Sequence, residues 1–230
     1  MKQINVLHII GSLQLGGAEK SLLLLLQNID RAKFNPVVVT MYSDGLNDFF
    51  SDDFRKLNIP LYHLHLKSWR DIETFRGLRQ IIWRHRIDIA HATTLIPCPT
   101  DAPLVVPLHD LAFVHTPRFF TKHGVRVFKR SVHHIKERAD LVLCCSQATM
   151  DDCLQAGIDG DKLRLVPLGV ETERADATEV ARVRATYELP EEYLLFVGTV
   201  EPRKNLKGLV AALEHLPDAP LLVVAGAAGW

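Results

Sequence analysis

Excess charge of either sign is missing from this chain: 27 Lys and Arg face 27 Asp and Glu across 230 residues. That excludes a global field drawing the protein onto nucleic acid or a charged membrane, so any anion recognition has to be local. Cysteine is scarce. The four present, Cys98, Cys144, Cys145 and Cys153, form no C-x-x-C pair, and a reduced cytosolic protein is the simplest reading. Neither H-E-x-x-H nor a Cys/His cluster accompanies the eleven histidines; His63 and His65 merely alternate along an expected strand, so no metal site is expected. Long apolar runs are also missing. The leucines at 22–26 are too few to cross a bilayer and read as a helix buried nearly all round. The N-terminal MKQINVLHIIGSLQLGG lacks the long apolar core and small-residue cleavage site of a signal peptide. A G-x-G-x-x-G dinucleotide fingerprint is absent too, and no fitting acidic residue ends the second strand, which tells against a nicotinamide-dependent oxidoreductase.

What is present is apolar material, 47% of the residues, arranged as short β-rich runs alternating with helical patterns. The runs at 4–10, 36–42, 60–66, 88–92, 103–110, 140–146 and 162–168 read as strands, several without strict alternation, as in a parallel sheet covered on both faces. Between them, Leu46, Phe49, Phe50, Phe54 and Leu57 recur at helical spacing, as do Ile72, Phe75, Leu78, Ile81 and Ile82, and again Val125, Phe128, Val132 and Ile135. Ser146 is placed to cap a helix running to Ala156, with Gly157 as its stop. The expected fold class is therefore α/β, a doubly wound Rossmann-like parallel sheet. One link is irregular: IPCPTDA, between the fourth and fifth runs, is too short for a crossover helix, so it is a loop or those strands are not parallel neighbours. After Gly169 a charged, mostly helical stretch ends at Pro190, and the pattern restarts as YLLFVG, NLKGLVAAL and PLLVVAG, the first βαβ of a second α/β domain. We expect residues 1–169 as one domain, 170–190 as a linker helix and 191–230 as the start of a second domain too small for a core of its own.

Open α/β sheets bind ligands at the carboxyl ends of their strands. There the first strand leads to Gly16 and Gly17, whose bare amides stand at a helix start near Ala18; an isolated Gly-Gly is otherwise a flexible turn. The fifth strand ends in His109 and Asp110, the histidine suited to hydrogen bonding or proton transfer at a bound substrate, or to an ordinary backbone contact. In the second domain Gly198 and Thr199 follow a strand, and Arg203 and Lys204 bring two cations to a helix N-terminus, a setting for a phosphate or diphosphate. Residues 118–138 hold seven Lys and Arg against one acid, Glu137. That is a solvated basic face or a weak attraction for an anionic acceptor or membrane surface.

The ordered set GGAE, HATTL, LHDLAF, ADLVLCCSQAT, LRLVPLGV, LFVGTVEPRKNLKGLV and LLVVAGAAGW resembles glycosyltransferase family 4, of two-domain GT-B fold, and its short IPCPTDA link is similar to that of a mannosyltransferase-like branch. The resemblance implies retaining transfer of a sugar from a nucleotide-diphosphate donor to a glycan or lipid-linked acceptor hydroxyl, with no cofactor and no metal. It places the acceptor on the N-terminal domain and the nucleotide on the C-terminal one. It also implies that Gly16, Gly17, Gly198, Thr199, Arg203 and Lys204 face the donor diphosphate, and that His109, with Asp110, lies at the transferred sugar. Two departures stand out. Thr199 occupies the position where many members carry Arg, a charge Arg203 would supply instead. Glu171 and Glu179, with seven residues between them, match the spacing of the family's glutamate pair but lack its glycines, so the pair is expected beyond Trp230 and the chain is expected to be truncated and nearly inactive alone. A non-catalytic acceptor-binding module of the same fold is the alternative. No nucleic acid partner is expected; a cytoplasmic location is, with peripheral contact to the inner face of the membrane through 118–138.

Overall fold

The computed structural model describes residues 2–42, 48–67, 71–93, 101–170 and 174–227. Leu46, Cys98, most of the IPCPTDA link, Glu171 and Trp230 lie outside the described residues. The chain divides into two compact units, Met1–Gly169 and Val170–Trp230.

In the first unit, β1 (Ile4–Ile10), α1 (Gly17–Asn28), β2 (Phe34–Thr40), α2 (Ser51–Lys56), β3 (Leu61–His63), α3 (Ile72–His85) and β4 (Ile89–Ala92) follow one another. Then come β5 (Leu104–Leu108), α4 (Ala112–His115), α5 (Lys122–Arg138), β6 (Leu141–Cys144), α6 (Gln147–Gln155) and β7 (Leu163–Leu165). All seven strands pair in parallel in the order β3-β2-β1-β4-β5-β6-β7. This is the doubly wound arrangement, with its switch point between β1 and β4. The irregular link is settled by pairing: Ala90 faces Leu104 and His91 faces Val105, so β4 and β5 are parallel neighbours.

Two apolar layers sandwich the sheet. Leu22, Leu23 and Leu26 of α1 join Ile10, Val38, Phe50 and Phe54 on one face. Leu78 and Ile81 of α3, Val132 and Ile135 of α5, and Cys153 of α6 join Leu7, Ile9, Val106 and Val142 on the other. Right-handed crossovers force this split, since strands added on opposite sides of β1 send their helices to opposite faces. Burial follows it. The last five residues of β1 are all buried, whereas β4, β5 and β6 alternate buried with half-buried side chains. The expectation of strands covered on both faces thus holds for β1 and β2 and fails for the β4–β6 half, where among the described residues of this unit the helices pack on one side.

Other expectations needed correction. The leucine run is amphipathic, with Leu25 44% exposed. β3 stops at His63, because His65 takes a left-handed φ of 51° that ends the extended run. His63 itself is held by its ring Nδ1, 2.6 Å from Thr40 Oγ1. β7 ends before Pro167, which has no N–H for a ladder. Phe49 precedes α2 and is 62% exposed rather than on its buried stripe. Ser146 does cap α6, its Oγ accepting from Thr149 N at 3.1 Å, and Gly157 (φ 79°) follows the helix end.

The second unit contains α7 (Ala177–Thr186), β8 (Tyr193–Val197), α8 (Leu206–Leu213) and β9 (Leu221–Ala225). Asp176 caps α7 by accepting from Glu179 N at 2.8 Å. β8 and β9 pair in parallel as a two-stranded sheet.

Candidate functional site

The carboxyl edge of the seven-stranded sheet is where the first unit can receive a ligand. β1 leads into a loop stitched to both flanks. Met41 N and Tyr42 N donate to Gly11 O at 3.2 and 2.8 Å, and Phe50 N donates to Leu13 O at 2.9 Å. Asp48 completes the brace, its two carboxylate oxygens accepting from Leu13 N at 2.8 Å and Gln14 Nε2 at 2.6 Å. Gly16 then stands at the N-cap of α1 in extended conformation, and no side chain caps the helix. Its first amides thus have no capping side chain among the described residues, and the side-chain direction at Gly17 meets none of them within 4 Å. One group competes: the Glu19 carboxylate lies against Gly16, in the space a Cβ there would take.

His109 and Asp110 follow β5, two strands from β1, so about 10 Å along the same edge at ordinary strand spacing. The His109 carbonyl accepts from Thr149 Oγ1 at 2.8 Å and Cys145 Sγ at 3.1 Å, which pins its backbone to the start of α6. Its imidazole is exposed and makes no hydrogen bond among the described residues. Asp110 has a local duty, its Oδ1 accepting from Ala112 N at 2.9 Å to open α4. Cys144 and Cys153 are buried thiols 3.8 Å apart; burial raises both, Cys153 to about 12, which keeps them protonated and inert.

Under the switch point lies a pair that sequence reasoning missed. His8 on β1 and His91 on β4 are register partners with Nδ1 atoms 2.9 Å apart. Burial pushes His8 down to about 3, with the nearby His91 adding to it, and burial alone takes His91 to about 4. Both rings are neutral at pH 7, one Nδ1–H donating to the other's lone pair. His8 Nε2 is buried with no hydrogen-bond partner among the described residues.

In the second unit, Gly198 takes φ 147°, reserved for glycine, and its N–H donates to Ala225 O at 2.9 Å. Gly226 is also required, because a Cβ there would strike the Gly198 carbonyl. Thr199 follows in the turn. Arg203 and Lys204 lie in a 3-10 turn, Pro202–Lys204, just before left-handed Asn205, which opens α8. The two cations differ. Arg203 Nη2 is 2.8 Å from Oε1 of buried Glu201, so its charge is already matched, while Lys204 is exposed and unpaired among the described residues.

The family model for Glycosyltransferase Family 4 matches residues 15–174, from the loop after β1 to beyond β7. The chain belongs to glycosyltransferase family 4. Among curated relatives, the O-antigen chain mannosyltransferase B of Escherichia coli is 29% identical over 135 residues, covering 55% of this chain and 35% of that protein. The D-inositol 3-phosphate glycosyltransferase of Xylanimonas cellulosilytica is 30% identical over 141 residues, covering 56% and 33%. The match thus spans about a third of these curated relatives. Among solved structures, Anabaena HepE in complex with UDP-glucose superposes with a TM-score of 0.68 at 19% identity, covering 96% of this chain and 60% of that one. The lipopolysaccharide outer core galactosyltransferase WaaB gives 0.62 at 14% identity, covering 97% and 68%. These likenesses show the fold, a Rossmann-like unit of the GT-B type followed by a βαβ unit.

Proposed function

We propose that this chain is the acceptor-side part of a retaining glycosyltransferase that moves a sugar, mannose by preference, from a nucleotide-diphosphate donor to a glycan or lipid-linked acceptor on the cytoplasmic side. The observation that carries the reading is the family match across 15–174, which begins at the uncapped α1 terminus. The mannosyl preference rests on the mannosyltransferase among the relatives, and the nucleotide donor on the UDP-glucose of the structural neighbour.

In this reading the first unit receives the acceptor and the second begins the nucleotide-sugar site. Departure of the diphosphate develops negative charge, which preorganised donors stabilise without reorganisation. In the first unit the amides of Gly16 and Gly17 are donors suited to a diphosphate; in the second, Gly198, Thr199 and Lys204 offer donors of the same kind, with Arg203 joining them once it exchanges Glu201 for phosphate. His109, pinned through its backbone and free at its ring, hydrogen-bonds the transferred sugar, and Asp110 keeps that turn in place.

The test is transfer of radiolabelled sugar from nucleotide sugars to glycan and lipid acceptors. A polypeptide carrying residues 1–230 together with a complete second domain is expected to transfer label, and the 230-residue chain alone little or none. Failure of the longer polypeptide on every acceptor overturns the enzyme in favour of a binding module; robust turnover by the 230-residue chain overturns the division of labour.

A further inference from the structure

One face of α6 reaches the segment from His109 to His115 at both of its ends. Cys145 just before the helix, and Thr149 and Asp152 on it, are spaced four and three residues apart, the spacing of helical neighbours. Thr149 Oγ1 and Cys145 Sγ donate to the His109 carbonyl at 2.8 and 3.1 Å. Asp152 Oδ1 lies 2.9 Å from Nε2 of His115, the last residue of α4. Between these ends Leu111 and Phe113 are buried in the core. Apolar burial is non-directional, so it sets how deep the turn sits and leaves its rotation to the polar contacts.

The inner contact has a fixed direction. Ser146 Oγ accepts from Thr149 N at 3.1 Å and lies 2.9 Å from Thr149 Oγ1. A carbonyl has no proton to give, so the Thr149 hydroxyl donates to His109 and accepts from Ser146. Ser146 O–H, Thr149 O–H and His109 C=O therefore form a one-way chain in which each bond polarises the next. The Cys145 thiol reaches the same carbonyl, which offers two lone pairs. Thr149 is buried, so water does not compete for its hydroxyl. Leu108, one residue earlier, is locked in the ladder opposite Cys144. With the backbone held on both sides, the exposed His109 ring keeps only its own side-chain torsions.

We propose that Thr149 and Asp152 are positioning residues of the sugar site: from one face of α6 they hold both ends of the 109–115 segment and thereby aim the His109 ring. The inference rests on the reading of His109 as the group that meets the transferred sugar.

The experiment has two arms. Hydrogen–deuterium exchange of the 230-residue chain, read by mass spectrometry, follows the amides of residues 110–116 in T149V, T149S, D152A and Q155A, the last an exposed position of the same helix. T149V is expected to exchange there about tenfold faster than the parent. D152A should exchange about threefold faster, because its ion pair is partly exposed, and T149S and Q155A should match the parent. The second arm is sugar transfer by the polypeptide carrying residues 1–230 together with a complete second domain. There T149V should lower kcat/KM about tenfold, and T149S, which keeps the hydroxyl, should retain it. H109A/T149V should be no worse than H109A, since a residue acting through the ring has nothing left to act on. Unchanged exchange in T149V or D152A, undiminished transfer by T149V, or a T149V penalty that persists in full without the His109 ring would each overturn the proposal. A parent that transfers no sugar overturns the sugar-transfer reading instead, and exchange alone then decides whether α6 clamps the segment.

Discussion

The two units use the same local grammar with opposite results. Each runs strand, glycine-bearing turn, helix and parallel strand: β1 to α1 to β2 in one, β8 to α8 to β9 in the other. In the first, neighbouring strands and helices close over the pattern, so Leu7, Val37, Leu78 and Val106 have no exposure at all. In the second, among the described residues, no hydrophobic side chain is fully buried, and the buried residue is a carboxylate, Glu201. Apolar sequence thus specifies a core only when enough layers exist to cover it; two strands and a helix do not supply them.

The largest expected effect sharpens that contrast. Leu7→Ala removes a side chain enclosed on every side in β1 and should cost about 2–5 kcal/mol in urea unfolding. Leu195→Ala in β8, whose parent residue is 55% exposed, should change stability by less than about 0.5 kcal/mol. Equal effects would mean that the second unit has a core after all.

The next effect is pH dependence, and it separates the units because the second carries one histidine, the exposed His215. His8 and His91 are lowered by burial to about 3 and about 4, whereas in the unfolded chain they titrate near 6.5. Between those values the unfolded chain binds protons that the native one refuses. The stabilisation is therefore complete above the unfolded value and is lost as pH falls, by up to about 1.4 kcal/mol per pH unit for each ring. Asp71 and Asp88, held low chiefly by backbone N–H donors, add a loss in the same direction at more acid pH. Urea midpoints across this range should fall steadily for the parent and flatten for H8L/H91V. A parent as steep as the double variant would remove the histidine pair as the cause.

How much of this was legible in sequence follows from how local each signal is. Strand positions, the Ser146 cap and the Gly157 stop were readable because periodicity and capping act within a few residues. The doubly wound class came through the alternation of runs, but the order of strands did not, because pairing joins segments far apart in sequence. The His8–His91 pair was hidden because each histidine alternates with core residues on its own strand, and only pairing across β1 and β4 joins them. Asp48 was equally invisible: it braces the Leu13–Gln14 loop from 34 or 35 residues away, with no motif between. In the second unit the sequence displayed two adjacent cations as equivalents, and side-chain geometry made them unequal by giving Arg203 to Glu201.

That inequality yields the smallest effect and the finest test of the contrast. Glu201 is 5% exposed at its side chain and Arg203 36%, so their ion pair is half screened. Glu201→Gln keeps a hydrogen-bond acceptor for the guanidinium and removes the charge that neutralises it, at a stability change below about 1 kcal/mol. The freed cation should then raise pyrophosphate affinity a few-fold by isothermal titration, since an unmatched arginine binds phosphate oxygens in bidentate fashion. The counterpart in the first unit is Glu19→Gln, which withdraws the carboxylate resting on Gly16 and should act in the same direction. If both variants tighten pyrophosphate binding, each unit carries its own guarded anion site despite their unequal cores. If neither does, the carboxylates guard nothing, and the assignment of Gly16, Gly17 and Arg203 to the donor diphosphate fails with them.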